Sequence, residues 1–490
     1  MQILRRDARR RAGLLALTLT ALAVRIAAVW LTAAPDGRPV VYEHGPIADN
    51  LLAGRGFSVW FLGSEGPTSQ QAPWTATLLA ACSLPFAHVT PTSVLLFQLL
   101  QCLAGTALCL VAALSAWRMY PQWRAIGWTV GWAAALYPPH VYMVTHVQAV
   151  VWAALGVTTL FALVADARSI ANPRTPWLVG LVGGWLLLVD PILALVLPII
   201  AWKLAAPSLK TSGIACGFAP RRAMIAGCCT LAIIAPWLIR NVAVHGEFVF
   251  IKDTFGYAFW QGNNEQSWGT DKIPKPTVAL AAAAHDGSPT SQSRALWEAR
   301  HETLYIDDVL LKPTGYAEFA GLSEPARSRL LGRRAWSYVT AEPRAYFARC
   351  LNRLGYFLFW DATNPKAMHW AYRASTALWI SLVGIGLLAA RKQWRTLAPS
   401  VLAFALITLF HTLTITSARF RIPIEPLTFV WGAVGLLPPL AHTLKRFGIA
   451  WLEARAAEED EATATLGRHQ LTGPHAQKAG IGSRSILRRR

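Results

Sequence analysis

Residues 1–35 read MQILRRDARRRAGLLALTLTALAVRIAAVWLTAAP. A cluster of arginines is followed by an apolar run from Ala12 to Ala34. A membrane-spanning helix needs about 20 mostly apolar residues. The run meets that length, and it is long for the apolar core of a signal peptide, about 7–15 residues. It reads as an uncleaved first span with its basic end in the cytoplasm. Similar runs recur at 91–116, 125–143, 147–165, 175–189, 191–206, 222–240, 374–390, 397–415 and 421–440. The sequence therefore predicts an all-α polytopic membrane protein of about ten spans. The pair flanking Asp190–Pro191 reads either as one broken helix or as a tight hairpin.

Composition agrees. Of 490 residues, 54% are hydrophobic and 15% charged, against about 25% charged in a soluble domain. Mean hydropathy is +0.35. Small soluble domains, disordered scaffolds and simple nucleic-acid modules are poor fits. The formal charge of +20 would suit a polyanion, but its distribution points elsewhere. Arg118, Arg124, Arg168, Arg174, Lys203, Lys210, Arg221, Arg222, Arg391, Lys392, Arg395, Lys445 and Arg446 fall in alternate loops and ends. This is the positive-inside pattern for an even span count. Anionic membrane lipids account for the charge without nucleic acid. The seven cysteines include no CxxC pair, so no zinc knuckle or iron–sulfur pattern is present.

This layout defines four parts. Residues 1–240 form an N-terminal transmembrane module with a first outer loop at 35–90. Within that loop, WTATLLAACSLPF (74–86) suits a short interfacial helix. Residues 241–373 are long enough for a small, mostly helical outer domain. Helices are predicted over 293–309 and 325–360, and a mobile loop over 265–296. Residues 374–440 carry the last spans, and 441–490 form a cytoplasmic tail whose polar composition predicts disorder.

Three segments then stand together: YEHGPIADNLLAGRGFS (42–58) with GPTSQQAPWTATLLA (66–80), APWLIRNVAVHGEFVFIKDTFGYAFWQGNNE (235–265), and SARFRIPIEPL (417–427). Their order and placement resemble the C superfamily of membrane glycosyltransferases. They are most similar to bacterial relatives of protein O-mannosyltransferases and lipid A aminoarabinose transferases. The resemblance implies an inverting transfer from a polyprenyl-phosphate sugar, with undecaprenyl phosphate as carrier, to a lipid, glycan or protein acceptor. It also implies a bacterial inner-membrane protein whose active site faces the periplasm.

Within that frame, Glu43 occupies the place of the family's acidic catalytic residue, with Asp49 six residues on. A hydroxyl attacking an anomeric carbon needs a base beside it. A solvated loop acid is the plain alternative for Glu43, and a helix-flanking role for Asp49. A lipid phosphate leaving group needs cations. Arg240, Arg419 and Arg421 break the positive-inside pattern at outer span ends, and Lys252, Arg55 and Arg25 are further candidates. Snorkelling to headgroups is the alternative for the first three. Arg25, deep in an apolar run, requires a partner. His44, His146, Gln148, Trp260, Asn263 and Asn264 are candidates for sugar or acceptor contacts. Trp and Asn suit sugar faces and hydroxyls, and equally the aromatic belt and turns. Gly54 and Gly56 belong to no Rossmann or Walker pattern.

Two departures matter. Gln148 stands where relatives often carry an acid, and Asp190 where they often carry a base. The first lowers the case for a divalent metal, and no metal ligand set is assigned. A lipid-linked sugar transporter and a non-catalytic envelope assembly protein are the competing readings.

Overall fold

The computed structural model describes residues 2–32, 40–206, 220–274, 288, 291 and 303–446. It divides into a compact unit, Met1–Gly435, and a second unit, Leu436–Arg490, whose described part is helical as far as Arg446. The described residues are overwhelmingly helical. In chain order the helices are α1 (Gln2–Leu31), α2 (His44–Leu52), α3 (Pro73–Ser83), α4 (Pro91–Met119), α5 (Arg124–Leu136), α6 (Pro138–Tyr142), α7 (Val150–Leu163), α8 (Ala167–Ala171), α9 (Thr175–Val189), α10 (Leu197–Ala205) and α11 (Pro220–His245). Then come α12 (Phe255–Gly262), α13 (Ile306–Leu310), α14 (Glu324–Ala341), α15 (Pro343–Leu358), α16 (Trp370–Ala389), α17 (Trp394–Leu413) and α18 (Glu425–Arg446). Two short antiparallel ribbons interrupt them. Strand β1 (Ser58–Phe61) pairs with β2 (Ser64–Pro67), and β3 (Lys272–Ile273) with β4 (Leu304–Tyr305).

The chain is an all-α multi-span membrane protein, but the expected ten spans are not all realised as separate long helices. Among the described residues, four apolar stretches are long enough to cross a membrane: Ala8–Leu31, Pro91–Met119, Pro220–His245 and Trp370–Leu413. The last contains α16 and α17, joined by a 3-10 turn at Ala390–Gln393. Val150–Leu163, Thr175–Val189 and Pro191–Ala205 are shorter apolar helices. Proline is the physical reason for the shortfall. It removes a backbone donor and disfavours helix in the residue before it. The 125–143 run breaks between Leu136 and Pro138, and the 175–206 run breaks at Asp190–Pro191. At 1.5 Å per residue, the 13 residues of α5 rise only about 20 Å.

The same rule corrects the loop segments. The single helix expected over 325–360 is two helices, α14 and α15, divided at Glu342–Pro343. The helix expected over 293–309 lies largely outside the described residues, whose first part there is β4 and α13. Most of the 265–296 loop and all of 447–490 lie outside them too. The short helix expected in the first loop is present as α3, with Pro73 at its start.

Packing follows the apolar faces. Helix α4 opens with a reciprocal cap between Thr90 and Ser93, and it packs against α1, α3, α5 and α7. Helix α11 packs along α9 and α10, and α15 packs on α17. A separate core joins the loops. Ile47, Phe57 and Phe61 of the first loop pack with Trp260, Leu311 and Leu331. The first loop and the 241–373 segment therefore form one loop face of the molecule.

Helix α16 meets α18 through glycine. A Cβ on Gly386 would lie 2.4 Å from Gly432 Cα and 2.7 Å from the Trp431 carbonyl oxygen. Two residues earlier, a Cβ on Gly384 would meet nothing within 4 Å. Small residues let helices in lipid approach closely. Gly386→Ala is therefore expected to destabilise the chain by about 1–3 kcal/mol, the usual range for overpacking. Gly384→Ala should be neutral or stabilising. Thermal unfolding of the two variants in one detergent checks the difference.

Candidate active site

The centre of the loop face begins at Tyr42. Its φ of 49° lies in the left-handed region that non-glycine residues rarely adopt. This turn delivers the chain into α2 with Glu43 at the cap position. Glu43 is exposed and its side chain makes no capping hydrogen bond. The next residue, His44, is buried at the first turn of α2. Burial, together with the charges of Lys252 and Arg419, pushes its imidazole down to about 3. His44 is thus a neutral ring over the physiological range.

Lys252 arrives from the loop after α11. Its Nζ donates to Gln71 Oε1 at 3.3 Å. Burial lowers its pKa, while Asp190 and then Glu43 act in the opposite sense. Arg419 comes from the turn between α17 and α18. It is exposed, rests over the Phe420 ring at 5.5 Å, and its guanidinium makes no hydrogen bond among the described residues. Its charge acts on His44, Lys252 and Asp271. Glu43, His44, Asp190, Lys252 and Arg419 therefore surround one region, although they come from four separate stretches of chain.

The other candidate donor-binding cations have protein partners. Arg421 is 1% exposed, its Nε donates to Glu425 Oε1 at 2.5 Å, and its Nη1 donates to the carbonyls of Phe357 and Leu358. Its guanidinium also stacks 4.4 Å from the Trp379 centroid. Glu425 in turn meets His140 Nε2 at 3.1 Å. Arg25 is fully buried and donates to the carbonyls of Ala21, Ala134 and Ala135 and to Cys109 Sγ. It does not pair with Asp190, whose carboxylate accepts from the Ile192 amide. Arg240 donates to the carbonyls of Thr68 and Phe57 and stacks on Trp237, so it pins the first loop to α11. Arg55 donates to Asn50 Oδ1 within its own loop. A guanidinium in an apolar interior requires several acceptors, and here the free carbonyls at breaks and loops supply them.

Asp49 and the expected sugar contacts divide in the same way. Asp49 Oδ1 accepts from the Val89 amide at 2.6 Å, which anchors the α3–α4 connection and leaves Glu43 as the open acid. Trp260 is 5% exposed in the loop core, so its face is not available to a sugar. Asn263 bonds to the Phe259 and Thr414 carbonyls and accepts from Arg353, and Asn264 bonds back to Trp260. Both close a turn. His146 is buried, contacts Thr145 and Tyr142, and stacks on Tyr42 at 6.4 Å. Gln148 is half-buried. His146 therefore borders the Glu43 turn through Tyr42.

Sequence reading gave no site role to Asp190, Asp271, Lys272 or Tyr305. Burial alone would oppose ionisation of Asp271, but Lys272, 2.5 Å away, holds its carboxyl below the usual range. Lys272 also lies 5.3 Å from the Tyr305 ring centroid. Nothing in the linear pattern signals this pairing across β3 and β4. As for metals, His245, Asp253 and Glu324 are placed so that one cation could be shared among them. Among the described residues, Glu43 is not part of this group.

No protein-family model matches the chain, and no curated protein matches it. Solved structures do. One is the Archaeoglobus fulgidus oligosaccharyltransferase tethered with an acceptor peptide containing the NVT sequon. The identity is 12% and the TM-score 0.49, covering 92% of this chain and 53% of that one. A second is the oligosaccharyltransferase AglB from the same organism, in complex with an inhibitory peptide and a dolichol-phosphate. Here the identity is 12% and the TM-score 0.47, covering 99% and 53%. A third is ArnT from Cupriavidus metallidurans bound to undecaprenyl phosphate, at 14% identity and TM-score 0.37, covering 87% and 79%. The chain spans about half the length of the archaeal structures. The likeness is coarse, and the chemistry of this chain rests on its own residues.

The two arginines of the RFR stretch should separate cleanly. Removing one partner of a buried ion pair costs about 3–5 kcal/mol. Arg421→Gln is expected to destabilise by that amount, whereas Arg419→Gln should stay within about 0.5 kcal/mol of the parent. Paired denaturation curves in one detergent test this. His44 gives a pH signature. Its folded pKa lies below the unfolded value of about 6.5, so the unfolded chain binds more protons between the two. Stability is then lost as pH falls from about 6.5 towards 3, at about 1.4 kcal/mol per unit. His44→Gln should remove this part of the difference in stability between pH 7 and pH 5.

Proposed function

We propose that the chain is a membrane glycosyltransferase that moves a sugar from a polyprenyl-phosphate donor to an acceptor hydroxyl at the outer face of the membrane. The observation that carries this reading is the exposed carboxylate of Glu43 acting on Lys252, with the charge of Arg419 reaching Lys252 and the neighbouring His44. A base and a phosphate-binding pair are the minimum for displacement at an anomeric carbon. The RFR stretch supports it further, because Arg421 is held internally while Arg419 projects into the open.

The steps follow from the groups. Lys252 and Arg419 hold the donor phosphate oxygens, with charge-assisted hydrogen bonds that strengthen as the leaving group gains charge. Glu43 takes the proton of the acceptor hydroxyl. The acceptor oxygen forms its bond to the anomeric carbon as the bond from that carbon to the phosphate oxygen breaks. The polyprenyl phosphate leaves as an anion. One displacement of this kind inverts the anomeric centre and requires no covalent enzyme intermediate. The charges of Asp190 and Glu43 act on Lys252 against the burial that lowers its pKa. His44, neutral and fixed at the start of α2, provides a hydrogen-bonding ring beside the base without competing for its proton.

The donor is thus a polyprenyl-phosphate sugar, and the acceptor is a lipid, a glycan or a protein. The bacterial inner membrane with a periplasmic active site is the setting that fits these substrates. The alternatives differ in what they predict. A transporter would move the sugar-lipid without breaking the glycosidic bond. An assembly protein would tolerate loss of Glu43.

The test is a transfer assay on purified chain in detergent. Glu43→Gln is expected to lower turnover by about 10²–10⁴-fold, the range for loss of a general base, while retaining donor binding. Arg419→Gln should weaken donor binding instead. Full activity of Glu43→Gln, or movement of intact donor without bond cleavage, would overturn the assignment.

A further inference from the structure

A second cluster lies where α11 ends. His245 is the last residue of α11, Asp253 follows Lys252 in the next loop, and Glu324 opens α14. One ligand atom from each lies within 4.8 Å of the others. Both carboxylate oxygens of Asp253 are buried with no hydrogen-bond partner. A buried, unpartnered carboxylate is costly, and such sites are relieved by a proton or by a cation.

The surroundings are ordered on the first loop. Glu324 Oε1 accepts from Ser69 N at 2.6 Å and from Thr68 Oγ1 at 3.0 Å. Ser69 Oγ lies 2.8 Å from His245 Nε2 and donates to Asn241 Oδ1 at 2.9 Å. The Ser69 carbonyl accepts from the Asp253 amide. The imidazole and the Glu324 carboxylate are therefore oriented by the same two-residue turn, as outer partners orient metal ligands. His245 and Glu324 also line a cavity of about 220 Å³, together with Ser64, Gly66, Pro67 and Arg327, which gives an ion a way in.

We propose that His245, Asp253 and Glu324 form a divalent-cation site of zinc type that fastens the first loop to α11 and α14. One imidazole nitrogen with two carboxylates suits a borderline ion such as zinc better than magnesium or calcium, which favour all-oxygen shells. Tetrahedral zinc separates its ligands by roughly 3.4 Å at bond lengths near 2.1 Å. Side-chain rotations of about 1 Å would close the cluster from its present spacing. Asp253 and Glu324 place two carboxylates beside one imidazole, a concentration of acceptors that a cation would neutralise. Arg240, within range of both carboxylates, is committed to loop carbonyls and does not fill this space. None of the three ligands has a role in the transfer proposed above, so the site stands or falls separately.

Full-length chain in detergent, stripped with chelator, is titrated with zinc against a chromophoric competitor. One zinc per chain and a raised thermal transition are expected. Asp253→Asn keeps the shape of the side chain while removing its charge, and should fold as well as the parent in chelator. It should lower zinc affinity by at least about tenfold and lose the thermal shift, as should His245→Ala. X-ray absorption should show a nitrogen and oxygen shell. Sub-stoichiometric binding, unchanged affinity in Asp253→Asn, or sulfur in the shell would overturn the site.

Discussion

The Arg421–Glu425 pair, one turn apart at the start of α18, fixes more of this molecule than any other contact. Both side chains are essentially inaccessible. An ion pair so placed is tolerable only if the remaining donors and acceptors are satisfied. Here they are. Arg421 gathers the carbonyls of Phe357 and Leu358 at the frayed end of α15, where helix geometry leaves them without partners. Glu425 receives His140 from α6 and Tyr137 from the break before it. One pair thereby ties two chain interruptions to the start of α18.

The same economy recurs wherever a helix stops. Arg25 closes the carbonyls exposed where α5 gives way before Pro138. Arg353 takes the Thr414 carbonyl at the end of α17 and Asn263 at the end of α12. Arg240 takes carbonyls of the first loop. In an apolar surrounding, a free carbonyl and an unpaired guanidinium are each costly, so they find one another. Arg419, whose guanidinium has no hydrogen bond among the described residues, and Lys252, with one amide contact, do not follow this pattern. Their freedom makes them credible ligands for an anion that comes and goes.

Composition and apolar periodicity made the membrane fold legible, since runs such as Ala12–Ala34 have few other solutions. The sequence also showed that Arg25 needs a partner and that the RFR stretch is unusual. It did not show which arginine of that stretch turns inward. Arg419 and Arg421 differ by two positions at the mouth of a helix, and only the arrival of Glu425 one turn later decides between them. The span count was over-read because hydropathy averages across prolines. Pro138 and Pro191 leave the apolar signal intact while ending the helices. The charge that Asp190 exerts on Lys252 was illegible for another reason. Lys252 lies 62 residues away, and no local period connects them.

That last pairing bears on why the acid and the base stand where they do. Asp190 occupies the break between α9 and the 3-10 turn at Pro191–Val196, a position where its carboxylate can cap the Ile192 amide. A lysine there would have to find acceptors, whereas an aspartate supplies one acceptor to the backbone and a charge to Lys252. The opposing charge that acts on Lys252 from Asp190 therefore comes from a helix break and not from its own loop, and the second such charge is that of Glu43. The loop after α11 is thus held electrostatically between the break in the apolar run and the start of α2, two interruptions that no local sequence period connects.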